Sequence, residues 1–140
     1  MVVATLRAAS RRVRVRVLLD ADALPNRTVA DELLRAGAGG IEVRWLPAGA
    51  MSSSLAIVRH RRELWVNLGA ADFTRLSLDD FNLSAAVDFR LQDRAAAAHG
   101  FMNAFDGLWS AAVGDAPQAS VNTLGYWRYR ALQAAGLAEY

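Results

Sequence analysis

From Val13 to Val17 the chain alternates apolar and charged residues, and this alternation limits its fold more than any other feature. Val13, Val15 and Val17 fall on one side, Arg14 and Arg16 on the other. A period of two suits a strand with one buried face and does not suit a helix. The segment closes as Val17-Leu18-Leu19-Asp20, where the alternation gives way to the pattern of a strand buried on both faces. Before it, Val2 to Ala9 reads as a short helix with Arg7 outward. After it, Asp20 to Asn26 reads as a loop, and Thr28 is the expected N-cap of a helix over Val29–Gly37 that Gly37 ends. Ile41–Leu46 is a second strand. Helix, strand, helix, strand predicts a parallel pair with helices packed on the sheet.

Pro47-Ala48-Gly49-Ala50 then breaks the chain. Leu55–Val58 and Leu64–Leu68 read as strands, and the polar run Arg59-His60-Arg61-Arg62-Glu63 between them as an antiparallel hairpin turn. Leu83–Phe89 is a last strand and Gln92–Ala112 a long alanine-rich helix, expected to be the longest element. A polar linker over 113–123 leads to a final helix, Leu124–Ala135, carrying Tyr126, Trp127 and Tyr129. The expected fold class is α/β. A mixed sheet, with strands near 13–20, 41–46, 54–59, 64–69 and 83–89, is flanked by helices in one domain over 1–140.

Composition narrows the function classes. With 54% hydrophobic residues, the 140-residue chain has enough apolar surface for a core. All 16 basic side chains are arginine, which puts the sequence pI near 9.7 although the net charge is only +2. The 14 acidic residues are spread among them, so nucleic acid is not the expected partner. Without cysteine there is no disulfide and no thiolate metal site. No metal or cofactor is expected: Asp20 with Asp22, and Asp79 with Asp80, are carboxylate pairs better suited to loops and helix caps. No apolar run is long enough to span a membrane. Met1–Arg12 lacks the apolar stretch of a signal peptide, so a cytoplasmic location is expected, with any targeting signal on a preceding region.

Several clusters carry two readings. Arg7, Arg11, Arg12, Arg14 and Arg16 read as the solvated face of an edge strand, with a phosphate-facing patch as the alternative. Tyr126, Trp127, Arg128, Tyr129 and Arg130 read as a helix packing its aromatics on the domain, or as a phospholipid-headgroup site held by cation–π contacts. His99 and Ala95–Ala98 read as close helix packing.

Met51 to Val87 reads MSSSLAIVRHRRELWVNLGAADFTRLSLDDFNLSAAV. This stretch resembles the signature region of the phospholipase D superfamily: His, any residue, Lys, four more residues, Asp, then a hairpin, Gly-Ser-x-Asn and a later Asn-x-Glu. The flanks match as well, with an arginine-rich strand ending in Leu18-Leu19-Asp20, a helix ending in the aromatic–Leu–Trp element Phe105–Trp109, and the tail GYWRYRALQAAGL. The resemblance covers nearly the whole chain and implies one half of the bilobal phospholipase D-type fold.

The resemblance also implies that the chemistry is gone. With Leu55–Val58 aligned to the family strand, Ser52 stands at the His position, Ser54 at the Lys position and Arg59 at the Asp position. Gly69 is kept, Ala70 replaces Ser and Asp72 replaces Asn; Asn82 is kept and Ser84 replaces Glu. In the family, one histidine attacks phosphorus and a second protonates the leaving group, while lysines and Ser/Asn donors hold the phosphate oxygens. Ser54 brings no positive charge, and Asp72 sets a negative charge where an anionic phosphate belongs. The chain has no lysine, and its two histidines are His60 in the hairpin turn and His99 on the long helix.

The implied product is a catalytically inactive phospholipase D-like module, structural or interacting, with a remnant pocket of Ser52, Ser54, Gly69, Asp72 and Asn82. Its expected partner is another such half or a second copy. Two alternatives are a non-catalytic half that completes an active phosphodiesterase partner, and a phospholipid-binding module that does not cleave.

Overall fold

The structure is a computed structural model that describes residues 2–21, 24–35, 40–47, 49–50, 54–69, 85–115, 127–128, 131–132 and 134–135. The expected linker and final helix, 113–135, lie largely outside this set. Trp127 and Arg128 are helical and exposed. The chain divides into two compact units, Met1–Ala50 with Ala112–Tyr140, and Met51–Ala111.

The first unit runs α1 (Val2–Ser10), β1 (Val15–Asp20), α2 (Leu24–Arg35), β2 (Ile41–Leu46). β1 and β2 are parallel, in register from Val15↔Ile41 to Asp20↔Leu46. The parallel pairing follows from α2, which returns the chain to the starting end of the sheet. Alternation places Val15, Val17 and Leu19 against a core of Ala30, Leu33, Ile41, Val43 and Trp45, with Val3 and Leu6 of α1 packed beside them. All six β1 residues are half-buried, so the two-sided burial expected at its end is not reached. Val13 lies before the strand and is exposed. Within β2, Trp45 exchanges backbone hydrogen bonds of 2.8 and 2.9 Å with Val113.

α2 starts four residues before the expected cap. Pro25 lies in its first turn, where a missing N–H costs nothing. The Asn26 side chain ties this start to the sheet by donating to the Asp20 carbonyl at 2.9 Å. Thr28 is therefore inside the helix, 2% exposed, and its hydroxyl makes no hydrogen bond with a described residue. Gly37 lies outside the described residues.

The second unit holds β3 (Ser54–His60), β4 (Glu63–Gly69), β5 (Ala86–Gln92) and α3 (Ala96–Ala111). Its sheet is antiparallel, in the order β3-β4-β5. Arg61 and Arg62 form the β3–β4 turn, and Arg61 takes the left-handed conformation that such a turn requires, with φ of 55°. One face carries Leu55, Ile57, Leu64, Val66 and Leu91 against Ala95, Ala98, Phe101 and Met102. Phe89 meets Phe101 with ring centroids 5.8 Å apart. Of the expected alanine–histidine packing, Ala98 is buried and Ala95 half-buried, while His99 is exposed.

β5 ends at Gln92 rather than Phe89, because the alternation Val87, Phe89, Leu91 against Asp88, Arg90, Gln92 continues that far. α3 starts correspondingly late and is the longest described element. The fold is α/β with both parallel and antiparallel pairing, and the described strands are divided between two sheets. No described helix is long and apolar enough to cross a membrane.

Candidate functional site

Of the residues assigned to the remnant pocket, Ser54 and Gly69 are described; Ser52, Asp72 and Asn82 lie outside the described residues, as do Ala70 and Ser84. Ser54 and Gly69 are direct partners across β3 and β4, and Gly69 pairs on its other side with Ala86. All three stand at the open end of the hairpin. Ser54 is half-buried.

Gly69 has a steric reason of its own. A Cβ there would stand 2.5 Å from the Ala85 carbonyl oxygen and 2.6 Å from Ala86 Cα, closer than real Cβ contacts. The neighbouring strand thus demands glycine whether or not a phosphate ever sat beside it.

Arg59 lies toward the other end, paired with Leu64. Its guanidinium makes a 3.4 Å ion pair with Asp93, just past β5. Arg59 therefore has an ion-pair partner within the same unit. His60 faces Glu63 at the turn, six residues along β3 from Ser54. At strand rise that separation is roughly 20 Å. His99 projects from α3 into solvent. Among the described residues no group of three His, Asp or Glu side chains is placed to hold a metal ion.

The arginine cluster does not form one strand face: Arg7 lies on α1 and Arg11, Arg12 and Arg14 precede β1, all exposed, while Arg16 on β1 is half-buried. Arg14 Nε donates to Glu42 on β2 at 2.7 Å. Asp20 accepts from the Gly49 backbone at 3.3 Å, a loop contact.

A second group, absent from the sequence reading, occupies the sheet face opposite α3. Val58 and Arg90 flank Trp65 across the strands, and His60 and Glu63 follow one pair along. These five residues line a shallow hollow of about 350 Å³. Arg90 donates through Nε at 3.2 Å and Nη2 at 2.7 Å to a single oxygen of Glu63. That hydrogen bond, and then the Glu63 charge, raise the Arg90 pKa above its usual value. The sequence signal was present: in Glu63-Leu64-Trp65-Val66-Asn67, burying Leu64 and Val66 forces Trp65 to the other face.

No protein-family model matches the chain, and no curated protein matches it.

Proposed function

We propose that the chain is a catalytically inactive phospholipase D-like half-domain that acts as a structural or interaction module, with another such half or a second copy as its partner. The observation that carries this reading is the hairpin register. Ser54 and Gly69, aligned with the family's lysine and first glycine, face each other at one strand end. A phosphate site built there would need a nucleophile and cations at that end. His60 stands at the opposite end of the same strand, and Arg59 is engaged by Asp93. A serine hydroxyl at 54 offers neither the charge of a lysine nor the nucleophilicity of an imidazole.

The test is hydrolysis of bis(4-nitrophenyl) phosphate and of phosphatidylcholine by the purified chain. The expected rate is that of buffer alone, for the chain and for the double variant Ser52→His, Ser54→Lys. Restoring two groups of a unit that acts together leaves the others missing. Turnover by the unmodified chain that disappears in Ser52→Ala or Asp72→Ala would overturn the proposal.

A further inference from the structure

The hollow on the face of the antiparallel sheet opposite α3 combines an apolar floor with hydrogen-bond donors that no described residue engages. Val58 and Trp65 are each 53% exposed at its centre, although both are large apolar side chains on a strand. Arg90 gives Nε and Nη2 to Glu63, and its other nitrogen, Nη1, is bonded to no described residue. The Trp65 indole N–H and the His60 imidazole likewise have no partner among the described residues. Arg61 and Arg62, at the adjoining turn, are exposed and form no ion pair with a described residue. The acids of this face are engaged: Glu63 holds Arg90, and Asp88 accepts from Asn67 at 2.8 Å.

Indole N–H and guanidinium N–H can only donate, so the complementary group is an acceptor, best an oxyanion. An exposed indole beside an aliphatic side chain favours a flat ring laid upon it. A hollow of about 350 Å³, open to solvent on one side, has room for a single ring rather than a larger ligand. We infer that this hollow binds a small aromatic oxyanion, its ring on Trp65 and Val58 and its carboxylate or phosphate on Arg90 and His60. The site is distinct from the hairpin end where Ser54 and Gly69 meet, and it does not depend on the family resemblance.

Calorimetric titration of the full chain with benzoate and with phenyl phosphate at neutral pH tests this. At least one should bind saturably with one site per chain, and which one binds identifies the oxyanion. Benzamide, acetate and inorganic phosphate, each lacking the charge or the ring, should bind about tenfold more weakly. Trp65→Leu and Arg90→Gln should each weaken binding about tenfold, since each removes one of the two recognition elements. Glu63→Gln should strengthen it by releasing Arg90. Far-UV circular dichroism checks that the variants fold; should Trp65→Leu not fold, Arg90→Gln decides. No saturable binding of either aryl anion, binding unchanged in Arg90→Gln, or inorganic phosphate binding as tightly as phenyl phosphate would each overturn the inference.

Discussion

β2 and β5 are strands of similar length and similar alternation, yet one is buried and the other is open. In β2, Ile41, Val43, Trp45 and Leu46 are all buried. In β5 every residue from Ala86 to Arg90 is exposed, Val87 and Phe89 included. The difference lies in what the connection to each strand supplies. β2 is reached through α2, and a parallel crossover brings its own covering helix, so the core of Ala30, Leu33 and the strand residues forms as one piece. β5 lies at the margin of an antiparallel triple, and the buried residues of that unit's core are Leu64 and Val66 of β4 with Ala98 of α3, while Phe89 of β5 touches Phe101 and stays exposed. Hydrophobic alternation thus identifies a strand in both units, but the neighbour that covers the strand decides how much stability its apolar residues supply.

This contrast orders the effects of substitution. The largest belongs to Trp45→Ala: with Trp45 only 4% exposed, the lost contacts and the cavity should cost about 4 kcal/mol, read as a fall in the urea midpoint. Leu64→Ala, at the centre of the second unit, should cost about 3 kcal/mol in the same experiment. Gly69→Ala should cost about 2 kcal/mol, because the new methyl displaces the β5 backbone at Ala85 and Ala86. Amide hydrogen exchange would locate the loss between β4 and β5; a neutral result would break the steric account of that glycine. Thr28→Val runs the other way. It removes a buried hydroxyl that has no partner among the described residues and should raise thermal stability by up to about 1 kcal/mol. Val87→Ala should change stability by less than about 0.5 kcal/mol, and a loss as large as that of Leu64→Ala would show β5 to be covered after all.

Much of this fold was legible because its strands alternate. Val15, Val17 and Leu19, then Leu64 and Val66, stand on buried faces as their period of two requires. The end of β5 differs because the strand was expected to stop at Phe89 and the helix to begin at Gln92, although the alternation of Val87 and Phe89 runs on through Leu91 to Gln92. The start of α2 was misjudged for a chemical reason. Thr28 looks like a cap and Pro25-Asn26 like a loop, whereas a proline fits the first helical turn and Asn26 reaches back to Asp20. At the hairpin, the register of Ser54 with Gly69 follows from a short polar turn between apolar strands. The hollow at Trp65 went unread because an exposed tryptophan on a strand is visible only once the buried face is assigned, and because Val58 and Arg90 come from separate strands.

The proposal of a remnant phosphodiesterase site requires Asp72 to return to the hairpin end that holds Ser54 and Gly69. The chain contains no cysteine, so cysteines placed at chosen positions carry spin labels without competition. Dipolar distances from a label at position 72 to labels at positions 52 and 60 measure the arrangement directly, because the strand separates its two ends by roughly 20 Å. A distance from 72 to 52 clearly shorter than that from 72 to 60 is the predicted result. A label at 72 lying nearer to 60 would contradict the alignment, and with it the reading of this chain as a silenced phospholipase D-like half.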